Sequence, residues 1–445
     1  MRFFIQTLGC KINQYESQAL RESWTSRGWL ETASPVQAQV VLVHTCAVTS
    51  GAVADSRGAV RRMGREAPDA SILVAGCAAQ VEPEMFRPLP GVAAVIPQAA
   101  KAGLARWPEP CEPAPSRAWP EFSISGFNRS RPVLKVQDGC SHGCTYCIVP
   151  RARGGARSRP FDQIAREADA LFAAGHREVV LSGINLGQFA REGGGDFWDM
   201  LADLERGLAP RWAGRARLRL SSLDPGMLGP KALDVLAGAS MTCPHLHLSM
   251  QSASDKVLSA MGRAHYGADA VLRFLDALRG VRPVMALGAD LLTGFPGEDD
   301  AEFRQTLEFM ARAGLTYAHV FPFSRRPGTV AAKAPGQLPL QLKKERAAAL
   351  RAESLRLEEA FARRLLSLPR LEVAMEKADP PGGLCEYYVE CRVENIPEGQ
   401  VPAGLLAVRP LGLGEGGVLR VEPLGEPGEA LYDPGEALYD PGESR

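Results

Sequence analysis

The sequence has no charge of either sign to spare. Lys plus Arg and Asp plus Glu come to 51 each in 445 residues, so a whole-chain field cannot argue for a polyanionic partner, and any nucleic-acid contact must come from local clusters. It also lacks an apolar run of 18 residues, which leaves no membrane-spanning helix and no membrane partner to expect. The opening "MRFFIQTLGC" has an apolar stretch too short for an export signal, and a periodic helix follows at once, so a cytoplasmic protein is expected. Cysteine is not scarce: there are 10, and in a reducing compartment they point to metal or redox chemistry before disulfides.

At this length the chain divides into two or three domains. In the first, "RFFIQTLG", "VVLVHT" and "ASILVAG" read as strands and alternate with amphipathic helices, "NQYESQALRESWTSRGW" with Asn13 as its cap and "SGAVADSRGAVRRMG". The fold class is α/β, and residues 1–115 are expected to form an open parallel α/β domain. The Pro-rich stretch at 106–122 reads as a linker. Strands and helices alternate again from 131 to about 335, where "RPVLKVQ", "EVVLSG", "ARLRLSS", "HLHLSM", "VMALGADLLTG" and "YAHVFPF" suggest a partial or full (βα) barrel. With the long charged helix at 339–366, this second domain spans 131–368. Short β runs broken by Gly and Pro suggest a small barrel at 369–425, and the repetitive acidic tail 426–445 reads as disordered.

The cysteines are not spread evenly. "DGCSHGCTYCIVP" puts Cys140, Cys144 and Cys147 directly after the first strand of the second domain. Zinc accepts thiolates, but a structural zinc wants four protein ligands, and the nearby His142 lies between two of the cysteines with no second CxxC or His pair at finger spacing. A [4Fe-4S] cluster on three cysteines instead leaves one iron open for a substrate or cofactor. In the first domain Cys10, Cys46 and Cys77 each follow a strand, and parallel α/β sheets gather ligands at the carboxyl ends of their strands. Isolated cysteines in such places are also common core thiols.

CxxxCxxC after the first strand of a βα barrel resembles the radical S-adenosylmethionine superfamily. The resemblance implies that S-adenosylmethionine binds the open iron and is cleaved to a 5'-deoxyadenosyl radical that removes hydrogen from unactivated carbon. "GCTYCIVPRARGGARSRP", "HLHLSMQSASDKVLSAMGR", "LLTGFPGEDDAEF" and "HVFPFSRRPGT" are similar, in order and spacing, to its methylthiotransferase branch. That likeness implies two [4Fe-4S] clusters, the second on Cys10, Cys46 and Cys77, and a C-terminal TRAM barrel that binds RNA. It also implies an electron donor such as flavodoxin or ferredoxin, and a monomer is expected. "TLGCKINQYES" resembles the form that places a methylthio group at C2 of N6-threonylcarbamoyladenosine beside the anticodon, in which Lys follows the first cysteine. The isopentenyladenosine form usually has Gln there. That form, the ribosomal-protein form and a non-catalytic iron-sulfur or zinc RNA-binding protein are the rival readings.

By the same resemblance Ser249, Gln251, Arg263 and Asp290 line the cofactor side of the barrel, with Arg263 gripping the methionyl carboxylate. Asp290 could instead serve as a structural cap. Arg151, Arg153, Arg157 and Arg159 follow the cluster loop and are expected to hold the anticodon stem-loop of a tRNA, with Arg153 and Arg157 the leading partners for the threonylcarbamoyl carboxylate. Arg57, Arg61, Arg62 and Arg65 on a helix after Cys46 form a second basic run, and Tyr387, Tyr388 and Arg392 could contact RNA or fill the small barrel. Cys111, Cys243, Cys385 and Cys391 are expected to be ordinary thiols.

Overall fold

The computed structural model describes residues 1–112, 119, 122–396 and 404–424. The first domain runs β1 (Arg2–Thr7), α1 (Lys11–Ser26), β2 (Leu30–Glu31), β3 (Val40–Thr45), α2 (Ser50–Glu66), β4 (Ser71–Gly76), α3 (Cys77–Val81) and β5 (Val92–Val95). Its sheet has the order β2-β1-β3-β4-β5 and every pairing is parallel. Because helices cover both faces, the central strand β3, VVLVHT, is buried throughout its length. Helix α1 buries Ile12, Tyr15, Ala19, Leu20 and Trp24 along one stripe. Trp24 stacks on Trp29 with ring centres 5.3 Å apart. Asn13 is not the cap of this helix, which starts at Lys11 with Cys10 before it. Its side-chain amide instead donates to the carbonyls of Leu8 at 2.8 Å and Thr45 at 3.0 Å, tying the ends of β1 and β3 together.

The second domain contains β6 (Val133–Lys135), β7 (Gln137–Asp138), α4 (Val149–Arg153), β8 (Arg157–Ser158), α5 (Phe161–Ala173), β9 (Glu178–Ser182), α6 (Phe197–Trp212), β10 (Arg217–Leu220), β11 (Ser222–Leu223), α7 (Pro230–Gly238), β12 (His245–Gln251), α8 (Asp255–Ala260), α9 (Ala268–Val281), β13 (Ala286–Thr293), α10 (Asp300–Arg312) and β14 (Tyr317–Pro322). Parallel strands run β6-β9-β10 and, continuing through β11, β11-β12-β13-β14. Among the described residues β14 does not pair with β6, so the barrel is partial and open along one side.

The first domain sits at that opening and touches both of its edges. On the β6 side, Tyr15 of α1 donates to the Phe122 carbonyl at 3.0 Å. On the β14 side, the Ser50 hydroxyl donates to the Arg325 carbonyl at 2.9 Å and Arg326 pairs with Glu82 at 3.1 Å. One apolar cluster runs without a break from Phe3, Trp24 and Leu42 to Leu134, Leu181, Leu248 and Leu291. Phe122 and Ile124, at the end of the Pro-rich stretch, are buried in it. That end of the expected linker is therefore a packed strap, while 113–118 and 120–121 lie outside the described residues.

Helix α11 (Leu340–Leu365) leads to a closed barrel of β15 (Leu371–Ala378), β16 (Pro381–Cys385), β17 (Glu390–Val393), β18 (Leu405–Leu413) and β19 (Leu419–Pro423), in the order β15-β16-β17-β19-β18. A buried Glu178 fixes this barrel to the second domain. It pairs with Arg217 at 2.7 Å and Arg219 at 2.5 Å, and these arginines donate onward to the carbonyls of Glu372, Leu384, Cys385 and Glu386. Tyr388, at the β16–β17 turn, inserts against His245 and Tyr317, with ring centres 4.8 and 5.3 Å away. It belongs to the junction between domains, neither in the small barrel's core nor free on its surface, whereas Arg392 is exposed. The tail expected at 426–445 lies outside the described residues.

Candidate functional site: two cysteine triads at the mouth of the barrel

The loop after β7 carries Cys140, Cys144 and Cys147, all half-buried. Its shape is set by backbone bonds: the Cys140 amide donates to the Gly154 carbonyl at 3.0 Å, and that of Thr145 to the Met261 carbonyl at 2.9 Å. Gly139, at φ 69°, makes the first of these contacts sterically open, because a Cβ there would stand 2.0 Å from the Gly155 carbonyl oxygen. The three thiols act on one another electrostatically. Burial pushes Cys147 up to about 11, and also raises Cys144, whose sulfur the Arg263 guanidinium approaches at 3.6 Å. Metal binding must therefore displace protons here.

The second triad comes from three adjacent strands. Cys46 and Cys77 directly follow β3 and β4, and Cys10 stands three residues beyond the end of β1. Gly9, at φ 96°, lets that chain fold down onto Cys46, since a Cβ at Gly9 would lie 2.9 Å from the Cys46 sulfur. Cys46 and Cys77 are buried and Cys10 is exposed, so the group opens toward solvent on one side. Burial raises both Cys46 and Cys77, with Arg153 opposing it at Cys77.

Among the described residues, neither triad has its three sulfurs all within 4.8 Å of one another. A single tetrahedral zinc with Zn–S of about 2.3 Å would hold its sulfurs ~3.8 Å apart. Neither triad is thus close-set for a single ion as it stands, and three thiolates are the donor set that holds a [4Fe-4S] cluster with one open iron.

Between the triads lies a buried network of ions. Glu16 of α1 accepts from Lys101, from Lys135 at 2.7 Å and from Arg153 at 3.2 Å, while Asp138 accepts from Lys135 at 2.7 Å and Arg153 at 2.9 Å. Burial holds the adjacent His44 well below the usual imidazole range, so it stays neutral. Lys101, Lys135, Arg153 and Arg157 therefore face Glu16 and Asp138 with positive charge in excess, and Arg153 interacts with both Cys77 and Cys10. An anionic thiolate-ligated cluster would meet that excess.

This network corrects the reading of the arginine run. Arg153 and Arg159 are each only 3% exposed and cannot reach an RNA surface. Arg153 is held by Glu16, Asp138 and Asn13, and Arg159 by Glu167 at 2.7 Å and the Tyr15 hydroxyl at 3.2 Å. Arg157 is half-buried and pairs with Asp138 at 3.5 Å. Arg151 is exposed and leans on the Pro327 carbonyl at 3.4 Å. In the sequence these residues are an ordinary basic run; the carboxylates that take them inward come from segments far away. Arg61, Arg62 and Arg65 on α2 are exposed, and Arg57 is half-buried.

The structure brings Ser249 and Arg263 together beside the first triad. Arg263 donates to the Tyr266 hydroxyl at 2.8 Å, to Asp224 at 2.8 Å, to the Ser249 carbonyl at 3.2 Å and to the Cys144 sulfur. A bidentate grip on a methionyl carboxylate, as expected from the sequence, would require Arg263 to release one of these partners. Asp224 also accepts from His265 at 2.9 Å, and His142 stacks edge-on to His265 at 4.9 Å. Sequence reading missed Asp224 and His265, since nothing local marks them. Gln251 lies at the end of β12 with φ 63°, a strained value for a residue other than Gly.

Asp290 is inside β13 and caps nothing. It pairs with His247 at 3.0 Å and His319 at 3.3 Å, and these two hold its carboxyl far below the usual range despite burial. The Tyr317 hydroxyl lies 2.9 Å from His247 and 2.8 Å from His245, extending the group along the barrel interior. Lys11, the residue after Cys10, projects into the same region. It is accessible to solvent, yet desolvation by surrounding protein and the nearby Arg131 and Arg219 lower its pKa.

Comparisons with known proteins agree with this arrangement. The Radical SAM superfamily profile matches residues 134–310, and that of "Uncharacterized protein family UPF0004" matches residues 2–97. The threonylcarbamoyladenosine tRNA methylthiotransferase MtaB of Rickettsia prowazekii is 34% identical over 82% of this chain and 86% of its own length. MtaB of Bacillus subtilis is 34% identical over 80% of this chain and 81% of its own. The tRNA-2-methylthio-N(6)-dimethylallyladenosine synthase of Cereibacter sphaeroides is 34% identical over 92% of this chain and 95% of its own. Among solved structures, the radical S-adenosylmethionine methyltransferase TsrM of Kitasatospora setae shares the fold with a TM-score of 0.55 at 15% identity, covering 79% of this chain and 84% of that one. With two separate cysteine triads at one barrel opening and relatives of this identity over most of its length, the chain belongs to the MtaB-type radical S-adenosylmethionine methylthiotransferases.

Proposed function

We propose that this enzyme replaces the hydrogen at C2 of N6-threonylcarbamoyladenosine, next to the anticodon of a tRNA, with a methylthio group. The observation that carries the reading is the presence of two cysteine triads, one after β7 and one at the ends of β1, β3 and β4, together with relatives named for that nucleoside. When bound, the clusters and S-adenosylmethionine supply hydrogen abstraction and sulfur.

The chain's own residues divide the remaining work. Cys140, Cys144 and Cys147 hold the cluster at which S-adenosylmethionine binds, and Cys10, Cys46 and Cys77 hold the sulfur-bearing cluster across the opening. Arg263 orients Cys144 and Asp224, while Ser249 and Gln251 face the cofactor from the end of β12. Asp290, clamped by two histidines, lines the interior beneath the substrate base. Arg151 and the exposed arginines of α2 contact the stem-loop at the rim. The enzyme acts as a cytoplasmic monomer supplied with electrons by flavodoxin or ferredoxin; among the described residues no helix is long and apolar enough to cross a membrane.

A second reading, modification of isopentenyladenosine, is favoured by the relative named for dimethylallyladenosine, which covers 92% of this chain. Reconstituted enzyme incubated with anticodon stem-loops carrying either group separates the two. Methylthiolation of the threonylcarbamoyl RNA is expected, and reaction of the isopentenyl RNA alone would install the second reading.

A further inference from the structure

One face of β12, β13 and β14 carries a set of metal-binding groups that contains no cysteine. The pairing register sets Asp290 of β13 opposite His319 of β14, and Gly288, two residues earlier on the same face, opposite both His247 of β12 and Tyr317 of β14. Gly288 makes room for these two side chains to meet: a Cβ there would stand 2.2 Å from the Tyr317 Cζ and 2.5 Å from the His247 Nδ1. One nitrogen each from His247 and His319 and one Asp290 oxygen lie within 4.8 Å of one another.

His247 is 5% exposed, and its Nε2 is buried with no hydrogen bond among the described residues. The Asp290 Oδ1 stands 3.0 Å from that nitrogen and 3.3 Å from the His319 Nδ1. Those are the separations of neighbouring ligands on one ion: with bonds of ~2.1 Å, adjacent donors are ~3.0 Å apart in an octahedron and ~3.4 Å apart in a tetrahedron. On the other side of the ring the Tyr317 hydroxyl lies 2.9 Å from the His247 Nδ1 and 2.8 Å from the His245 Nε2. A His247 that donates from Nδ1 to Tyr317 presents its Nε2 lone pair to the space beside Asp290, and an outer partner of this kind is what fixes a ligating histidine. His319 is exposed and lines a cleft of about 390 Å³ with Tyr317, Glu358 and Tyr388, which gives an ion its way in. The group His142, Asp224 and His265 has the same composition, but there Asp224 already pairs with Arg263 at 2.8 Å. We propose that His247, Asp290 and His319 bind one divalent transition-metal ion, apart from both cysteine triads, with coordination left open toward the cleft.

Zinc is the probe, because an iron-sulfur cluster does not contain it. Anaerobically reconstituted full-length protein, its triads occupied by iron, is dialysed against graded zinc(II), and bound zinc and iron are counted by mass spectrometry. Stoichiometric zinc is expected, with zinc-edge X-ray absorption showing only nitrogen and oxygen neighbours at about 2.0–2.2 Å. Asp290→Asn and His319→Ala should each lose that zinc with iron unchanged; the second alters an exposed side chain and so tests the site without disturbing the core. Tyr317→Phe should weaken zinc binding roughly 10–100-fold, and His265→Ala should leave it as in wild type. Sulfur neighbours at about 2.3 Å would put the zinc on cysteine and overturn the proposal. It would equally fall if wild type took up no stoichiometric zinc, or if Asp290→Asn and His319→Ala kept the wild-type affinity, the mark of an adventitious ion only.

Discussion

Arg153 donates to the side-chain oxygen of Asn13 at 2.6 Å and to Asp138 at 2.9 Å. One guanidinium therefore joins the helix that follows Cys10 to the strand that precedes Cys140. The two triads belong to different domains, yet Arg153 and Lys135, both buried, tie them together through Glu16 and Asp138, which suits a reaction in which both must reach one carbon.

Replacing Arg153 by Ala should leave Glu16 and Asp138 short of a partner in the interior. A cost of about 3–5 kcal/mol follows from breaking a buried ion pair by removing one member. Arg153→Lys should retain the charge but lose the fork that spans Asn13 and Asp138, and so fall in between. Urea unfolding checks this, and a change within ~0.5 kcal/mol for Arg153→Ala, as at an ordinary surface site, would show that the network does not hold the domains together.

Gly139→Ala should expel the first cluster without unfolding the barrel. The added Cβ would meet the Gly155 carbonyl at 2.0 Å, forcing apart the two chain segments that shape the loop, whereas a Cβ at Gly143 meets nothing within 4 Å. Iron analysis after anaerobic reconstitution should show about half the wild-type content for Gly139→Ala and nearly full content for Gly143→Ala. Equal iron in both variants would contradict this account of the loop.

How much of this was legible beforehand depends on whether a feature is local. The strands of both domains show as apolar runs such as VVLVHT; Cys10, Cys46 and Cys77 follow three of them and Cys140, Cys144 and Cys147 share the loop after β7, so both groupings are visible in the sequence. Asn13 was misread because a polar residue near a helix start is usually a cap, whereas here the helix begins earlier and Asn13 bridges the Leu8 and Thr45 carbonyls. The arginine run misled for the opposite reason: Arg153 and Arg159 look solvated until Glu16 and Glu167 are brought to them by folding. Lys11 shows in the sequence only as a mark of resemblance, and that Asp290 and Glu178 act on it electrostatically is visible only in three dimensions.

The Glu178 clamp predicts an acid dependence. Burial alone would raise the Glu178 carboxyl, but Arg219 and Arg217 hold it well below its ordinary value of 4.5. A carboxyl depressed in the folded state contributes stability that is complete above its unfolded pKa and declines as the pH falls below it. Urea unfolding should thus show stability falling below pH ~4.5. Glu178→Gln should cost about 3–5 kcal/mol at neutral pH and show a shallower acid decline. An identical decline in the variant would assign the acid sensitivity to other carboxyls.

The triads should also separate chemically. Cys144→Ala and Cys46→Ala should each lose about half of the iron, since each removes one cluster of a pair. Cys140→Ala should form no 5'-deoxyadenosine, whereas Cys77→Ala should still cleave S-adenosylmethionine without thiolating RNA. Full iron content in either single variant, or equal loss of cleavage in both, would contradict this division.

The most direct measurement is mass spectrometry of tRNA nucleosides from a strain lacking this gene. The 2-methylthio form of N6-threonylcarbamoyladenosine should disappear while its unthiolated precursor accumulates, and the wild-type gene, but not the Cys144→Ala variant, should restore it. Unchanged 2-methylthio-N6-threonylcarbamoyladenosine, with loss confined to the isopentenyl series, would contradict the assignment.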